Sequence, residues 1–132
     1  MSELYLRLVF SFLVGNSDMH LKNFSLIETD EGSGQYVLSP AYDLLPVNVI
    51  MPEDAEEFAL TMNGKKSNIR RSDFIAFAEV CGLVGKSAER MLNKTISMQT
   101  SLADMTADSL LPDSLKNDLI AMIKSRAAAL ER

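Results

Sequence analysis

Three oxygen-bearing side chains carry the chemistry this sequence offers. Asp18 stands five residues before Asn23, and Asp43 follows twenty residues after Asn23. A carboxylate can accept a hydrogen bond from an alcohol and orient it for attack. An amide oxygen and a second carboxylate are hard donors, suited to Mg²⁺ rather than to softer metals. A base, an Asn five residues on, and a further Asp beyond a short hairpin together make the layout of a phosphoryl-transfer loop. Catalysis there is mostly positioning and charge neutralisation. The candidate base is therefore Asp18, and the candidate Mg²⁺ and nucleotide ligands are Asn23 and Asp43. His20 and Lys22 lie in the same loop and are candidates for its positive charge.

These side chains need elements that hold them. Residues 3–15 carry nine apolar positions, an apolar surface on every side that predicts a buried helix, and Gly15 ends it. The polar stretch 16–23 follows as a loop. Phe24–Ile27 and Gln35–Leu38 are expected strands of a hairpin around the Gly-, Asp- and Ser-rich turn 29–34. Tyr42 and Asp43 then sit in an irregular segment between Pro40 and Pro46. Phe58–Met62 could form a strand closed by the Asn63-Gly64 turn. From Ser72 the period becomes helical, with Ser72 as N-cap, Phe74, Ile75, Phe77, Ala78 and Cys81 along one side, and Gly82 as the stop. A second long helix is expected over 87–108, its face marked by Met91, Thr95, Met98, Leu102 and Met105. A third starts at Pro112 with Leu115, Leu119, Ile123, Ala127 and Leu130 on its buried side. The methionines 91, 98, 105 and 122 are read as core filling rather than a partner groove.

Two segments carry a family resemblance. Leu13-Val14-Gly15-Asn16-Ser17-Asp18-Met19-His20-Leu21-Lys22-Asn23-Phe24-Ser25-Leu26 resembles the catalytic loop of the HipA family of bacterial serine/threonine kinases. Leu38-Ser39-Pro40-Ala41-Tyr42-Asp43-Leu44-Leu45 resembles that family's metal-binding segment. The resemblance covers residues 13–45. It implies a mainly α, α+β fold: a protein-kinase-like C-lobe, a helical bundle whose small β-hairpin carries the catalytic and metal-binding loops. It implies transfer of the ATP γ-phosphate, with Mg²⁺, to a protein hydroxyl. It further implies the toxin part of a toxin–antitoxin system, restrained by a DNA-binding antitoxin partner, with an aminoacyl-tRNA synthetase as protein substrate. Many serine/threonine kinases place a Lys two residues after the base, and here that slot holds His20. Either Lys22 or protonated His20 supplies the charge, or His20 braces the loop by hydrogen bonds and Lys22 faces solvent.

The remaining composition bounds the reading. The 132 residues suit one domain, and 47% apolar with 23% charged residues is ordinary for a folded chain. A net charge of −5 without a basic stripe argues against direct nucleic-acid binding. The densest basic stretch, Lys65, Lys66, Arg70 and Arg71, is read as a solvated loop near Glu53, Asp54, Glu56 and Glu57. The single Cys81 excludes an internal disulfide and a zinc finger and is read as a buried structural thiol. The apolar run Leu4–Val14 is too short to cross a bilayer and lacks signal-peptide features, so no membrane partner and a cytoplasmic location are expected. No Gly-rich phosphate loop and no strand lysine precede Asp18, so the ATP-cradling N-lobe is expected to lie outside these residues. The chain then reads as a truncated or split kinase needing a partner N-lobe, or as a non-catalytic interaction module. An unrelated helical scaffold would make the spacings coincidental. Uncovered apolar surface near the first helix and Tyr42–Pro46 is an expected site of self-association.

Overall fold

Helix α1, Ser2–Leu13, runs through the centre of the molecule because it has no polar face to give to water. The computed structural model describes residues 1–132. A single 3-10 turn at Leu21–Asn23 follows, then strands β1, Leu26–Glu28, and β2, Tyr36–Leu38. Five further helices complete the chain: α2 (Val47–Ile50), α3 (Arg71–Val80), α4 (Gly85–Ser97), α5 (Gln99–Ala107) and α6 (Asp113–Glu131). The fold is mainly helical with one small antiparallel sheet, paired Leu26 to Leu38, Ile27 to Val37 and Glu28 to Tyr36. No helix is long and apolar enough to cross a membrane.

One core joins these parts. Helix α1 packs on α4 and α6, and α3 packs on α4. Phe12 is central, with Phe74 edge-on at 5.6 Å and Phe58 at 6.1 Å. Val9, Leu92, Ile123, Ala127 and Leu130 close around it. Edge-to-face rings add about 1 kcal/mol beyond their burial, so this cluster fixes orientation as well as volume.

The structure corrects several sequence expectations. Helix 87–108 is broken at Met98, and its predicted face holds in part: Thr95 is buried and Met91 and Leu102 pack partly buried on the core beside Ala88, Leu92 and Ile96, while Met98 and Met105 are exposed. The break has a local cause. The Thr95 hydroxyl donates to Met91 O at 2.9 Å and the Ser97 hydroxyl to Lys94 O at 2.6 Å, and such back-bonding bends helices. Phe58–Met62 is not a strand, having only a bridge from Met62 to Lys65 around the Asn63-Gly64 turn. Its amides are spent elsewhere, Phe58 N on Lys66 O and Ala59 N on Ser17 O. Cys81 is half-buried rather than buried. Exposed apolar residues include Leu26 and Tyr36 on the hairpin and Tyr42–Leu45, and an apolar groove lined by Leu4 and Leu8 of α1 with Leu21, Phe24 and Leu60 opens beside the first helix.

The start of α3 also differs. Ser72 is not the N-cap, because the buried Asp73 carboxylate accepts the Arg70 N–H at 2.8 Å and begins the helix earlier. The same carboxylate takes Asn63 Nδ2 at 2.8 Å and Lys65 Nζ at 3.0 Å. Lys65 is thus tied, as is Arg71, whose guanidinium donates to Leu130 O at 3.2 Å. Lys65 and Arg70 stay exposed and Lys66 pairs with Glu56 at 3.4 Å, so the basic stretch is solvated as expected but partly anchored. Burial pushes the Asp73 carboxyl up, but the hydrogen bonds from Asn63, Lys65 and the Arg70 backbone outweigh it and hold it below its ordinary 3.8. A depressed carboxylate stabilises the fold above the unfolded-chain value, and that stability is lost as pH falls through the folded value. Resistance to denaturant should therefore fall as pH drops below about 4. An Asp73→Asn variant should be less stable near neutrality and should show a smaller acid-induced loss. An unchanged acid slope in that variant would place the titration elsewhere.

Candidate active site

The loop after α1 is built on tight turns. Gly15, at φ +74°, turns the chain out of the helix, and Asn16 N donates back to Ser11 O at 2.8 Å. Met19 N donates to Ser17 O at 2.9 Å, a tight turn centred on Asp18, and His20 beyond it is extended. Met19 points inward and is 3% exposed. Its sulfur accepts Asn16 Nδ2 at 3.1 Å and the Ser11 hydroxyl at 3.4 Å, pegging the loop to α1. Asp18 and His20 face outward, Nε2 of His20 lying 3.4 Å from Oδ1 of Asp18. Both side chains are about half exposed, 40% and 49%, so the pair orients more than it stabilises.

Asn23 closes the loop. It is 5% exposed, and its Nδ2 donates to the backbone oxygen of Asp18. That bond fixes the amide, and Oδ1 accepts no hydrogen bond from the protein yet is not sealed from solvent. The Tyr42 hydroxyl donates to Lys22 O at 2.8 Å and lies 2.7 Å from the Ser25 hydroxyl. The segment bearing Asp43 is thereby pinned to the turn bearing Asn23. Its other end is held by Ser39, whose carbonyl accepts Arg7 Nη2 at 2.6 Å. Asp43 itself is exposed at φ +54°, a left-handed conformation that Asp tolerates better than most residues. Lys22 is exposed, contributing only its carbonyl to this network.

The structure thus gathers Asp18, His20 and Asn23 in one loop and ties the Tyr42–Asp43 segment to it. No three His, Cys, Asp or Glu side chains cluster as a metal site of their own. A Mg²⁺ held here would draw on Asn23 Oδ1 and Asp43, with phosphate and water supplying the rest, a pattern Mg²⁺ favours. The oxygen donors and their open faces fit that ion.

A cleft of about 410 Å³ opens beside Asp18 and His20. Its far wall comes from Leu45, Val47, Met51 and Glu56, with Asp54, Ala59 and Lys66 completing it. The Ser17 hydroxyl donates to Asp54 Oδ2 at 3.2 Å, and Ala59 N donates to Ser17 O at 2.9 Å. Sequence reasoning missed this wall and the short α2 within it. The readable signal was Asn48, a polar residue between Val47 and Val49.

The family model of the HipA-like C-terminal domain matches residues 1–103. This chain belongs to that family. The HipA-like match includes both the Asp18–Asn23 loop and the hairpin leading to Asp43. Among curated relatives, the "Putative kinase Y4dM" of Sinorhizobium fredii is 41% identical over 78 residues, 58% of this chain and 19% of that protein. The "Putative kinase Y4mE" of the same organism is 27% identical over 126 residues, 90% of this chain and 29% of that protein. A Haemophilus influenzae protein named "Putative kinase" is 24% identical over 145 residues, 97% of this chain and 41% of that protein. The HipA-like chain therefore spans less than half the length of each of these relatives.

Proposed function

We propose that this chain is the catalytic lobe of a serine/threonine protein kinase, with a protein-kinase-like C-lobe fold. The observation that carries the reading is the tie between loop and hairpin: Asn23 Nδ2 to Asp18 O, and the Tyr42 hydroxyl to Lys22 O. It puts the candidate base and the segments of both metal ligands on one braced unit. Names of curated relatives as kinases support the same reading.

In this reading Asp18 accepts the proton of the substrate hydroxyl as its oxygen bonds to the γ-phosphorus. The bond from that phosphorus to the β–γ bridging oxygen breaks, and ADP leaves. Asn23 Oδ1 and Asp43 would hold Mg²⁺, which would neutralise charge on the phosphates. Lys22, exposed and unpaired, or else His20 beside Asp18, would supply part of the positive charge there. Nucleotide would be completed by a second lobe. By family resemblance the reading extends to a toxin restrained by an antitoxin, acting on an aminoacyl-tRNA synthetase.

The test is calorimetric titration of Mg·ATP into the chain, with and without an N-lobe supplied from a relative, paired with transfer of labelled phosphate to dephosphorylated casein. Affinity and transfer should both rise when the N-lobe is present. Asp43→Asn should weaken Mg²⁺-dependent nucleotide binding by about tenfold or more, the scale of lost metal-site contacts. Equal Mg²⁺ dependence in both proteins would sink the assignment.

A further inference from the structure

The buried guanidinium of Arg126, on the last helix, joins two elements that flank the cleft. Its Nη1 donates to Phe12 O at 2.9 Å, at the end of α1, and its Nη2 to Asn48 Oδ1 at 3.1 Å. Its carbon lies 4.6 Å from the Phe12 ring centroid, and Nε is 3.9 Å from Glu57. Asn48 passes the constraint on. Its Nδ2 donates to Asp54 O at 3.0 Å and Glu56 O at 2.9 Å, and its backbone N–H to Gly15 O at 3.0 Å. Asp54 in turn accepts the Ser17 hydroxyl, next to Asp18.

We propose that Arg126 is a positioning residue: from α6 it fixes, through Asn48 and Asp54, the wall of the cleft and the backbone that aims Asp18. The proposal rests on the kinase reading for its catalytic consequence, but its structural half stands alone. Residue 126 lies beyond the stretch matched by the family model, which ends at 103. A planar fork reaching two acceptors in different directions is something a lysine ammonium cannot reproduce. Removing it leaves Asn48 Oδ1 without its donor in a buried site and frees the segment that carries Asp54 and Glu56.

Two readouts test this. Amide hydrogen exchange in Arg126→Gln should accelerate about tenfold or more at Ala59 and Asn48, whose N–H groups bind Ser17 O and Gly15 O, with α3 and α4 amides unchanged. With an N-lobe supplied, kcat for casein phosphorylation should fall about 10- to 100-fold, the scale of a misplaced reacting group, while Mg·ATP affinity shifts less than about twofold. Arg126→Lys should not rescue either readout. Rescue by lysine would reduce Arg126 to a charge partner of Glu57 and overturn the proposal. So would uniform acceleration across the core, or none at Ala59. If Arg126→Gln does not fold, Asp54→Ala cuts a later link and should lower kcat in the same direction; an unchanged kcat overturns the proposal. A wild-type chain that transfers no phosphate would fail the kinase reading, and exchange at Ala59 would still decide the strut.

Discussion

Replacing Asp18 by asparagine should lower phosphoryl transfer by about 10²- to 10⁴-fold, the usual range for loss of a positioned general base. The substitution is nearly isosteric and leaves the backbone oxygen that accepts Asn23 Nδ2. Because the Asp18 side chain is 40% exposed, its loss should cost the fold little. Mg·ATP affinity should stay within about threefold, since the candidate ligands are other residues. That split between kcat and binding separates a base from a metal ligand, for which both would fall together. The comparison with His20→Ala is informative. A half-exposed pair 3.4 Å apart contributes at most about 1 kcal/mol, so His20→Ala should lower the rate about fivefold, far less than Asp18→Asn. Steady-state rates at saturating Mg·ATP would decide, and an Asp18→Asn enzyme as fast as wild type would end the assignment of Asp18. Unchanged rates in both His20→Ala and Lys22→Ala would remove the shared-charge idea.

The elements around the loop were legible because local signals agreed. An apolar run with no polar face gave α1, Gly15 gave its end, and two short β-rich stretches around a Gly-rich turn gave the hairpin. The motif spacing located one loop, and the coordinates brace that loop through bonds no spacing encodes. Met19 as an inward peg and Tyr42 as a clasp depend on which way a side chain points once the chain has turned. What failed did so for tertiary reasons. Phe58–Met62 has strand composition but no partner strand, because its amides bind Ser17 and Lys66. Helix 87–108 has a continuous period, yet two hydroxyls break it at Met98.

Arg126 was the costliest omission. It falls seven residues after Leu119 and three after Ile123, on the same stripe that the helical period assigns to the core. An arginine on such a stripe reads as a solvated flank unless its acceptors are known. Those acceptors, Phe12 O and Asn48 Oδ1, lie 114 and 78 residues away in sequence. Burial lowers its pKa, and the nearby Glu57 opposes that shift.

Gly15→Ala should be more damaging than alanine at the other left-handed glycines, lowering stability by about 1–3 kcal/mol. Two separate costs add there. At φ +74° any Cβ meets the following carbonyl, a penalty of about 1–2 kcal/mol. In addition, a Cβ at this position would run into the Met122 sulfur on α6, a flexible and partly exposed side chain that can shift at a cost of up to about 1 kcal/mol. Gly82 offers an internal control, with φ +72° and open space where its Cβ would go. Gly82→Ala should therefore carry only the first cost. The difference between the two variants isolates the contact with Met122. Shortening that side chain in a Gly15→Ala/Met122→Ala double variant should recover part of the loss relative to additivity, a coupling expected for neighbours. Denaturant midpoints for the four proteins measure each term. Equal losses at Gly15 and Gly82 would show that α6 does not press on this turn. The consequence for chemistry follows from position. Gly15 O accepts Asn48 N, and Asp18 stands three residues on, so a turn forced open here should displace the cleft wall and the candidate base together.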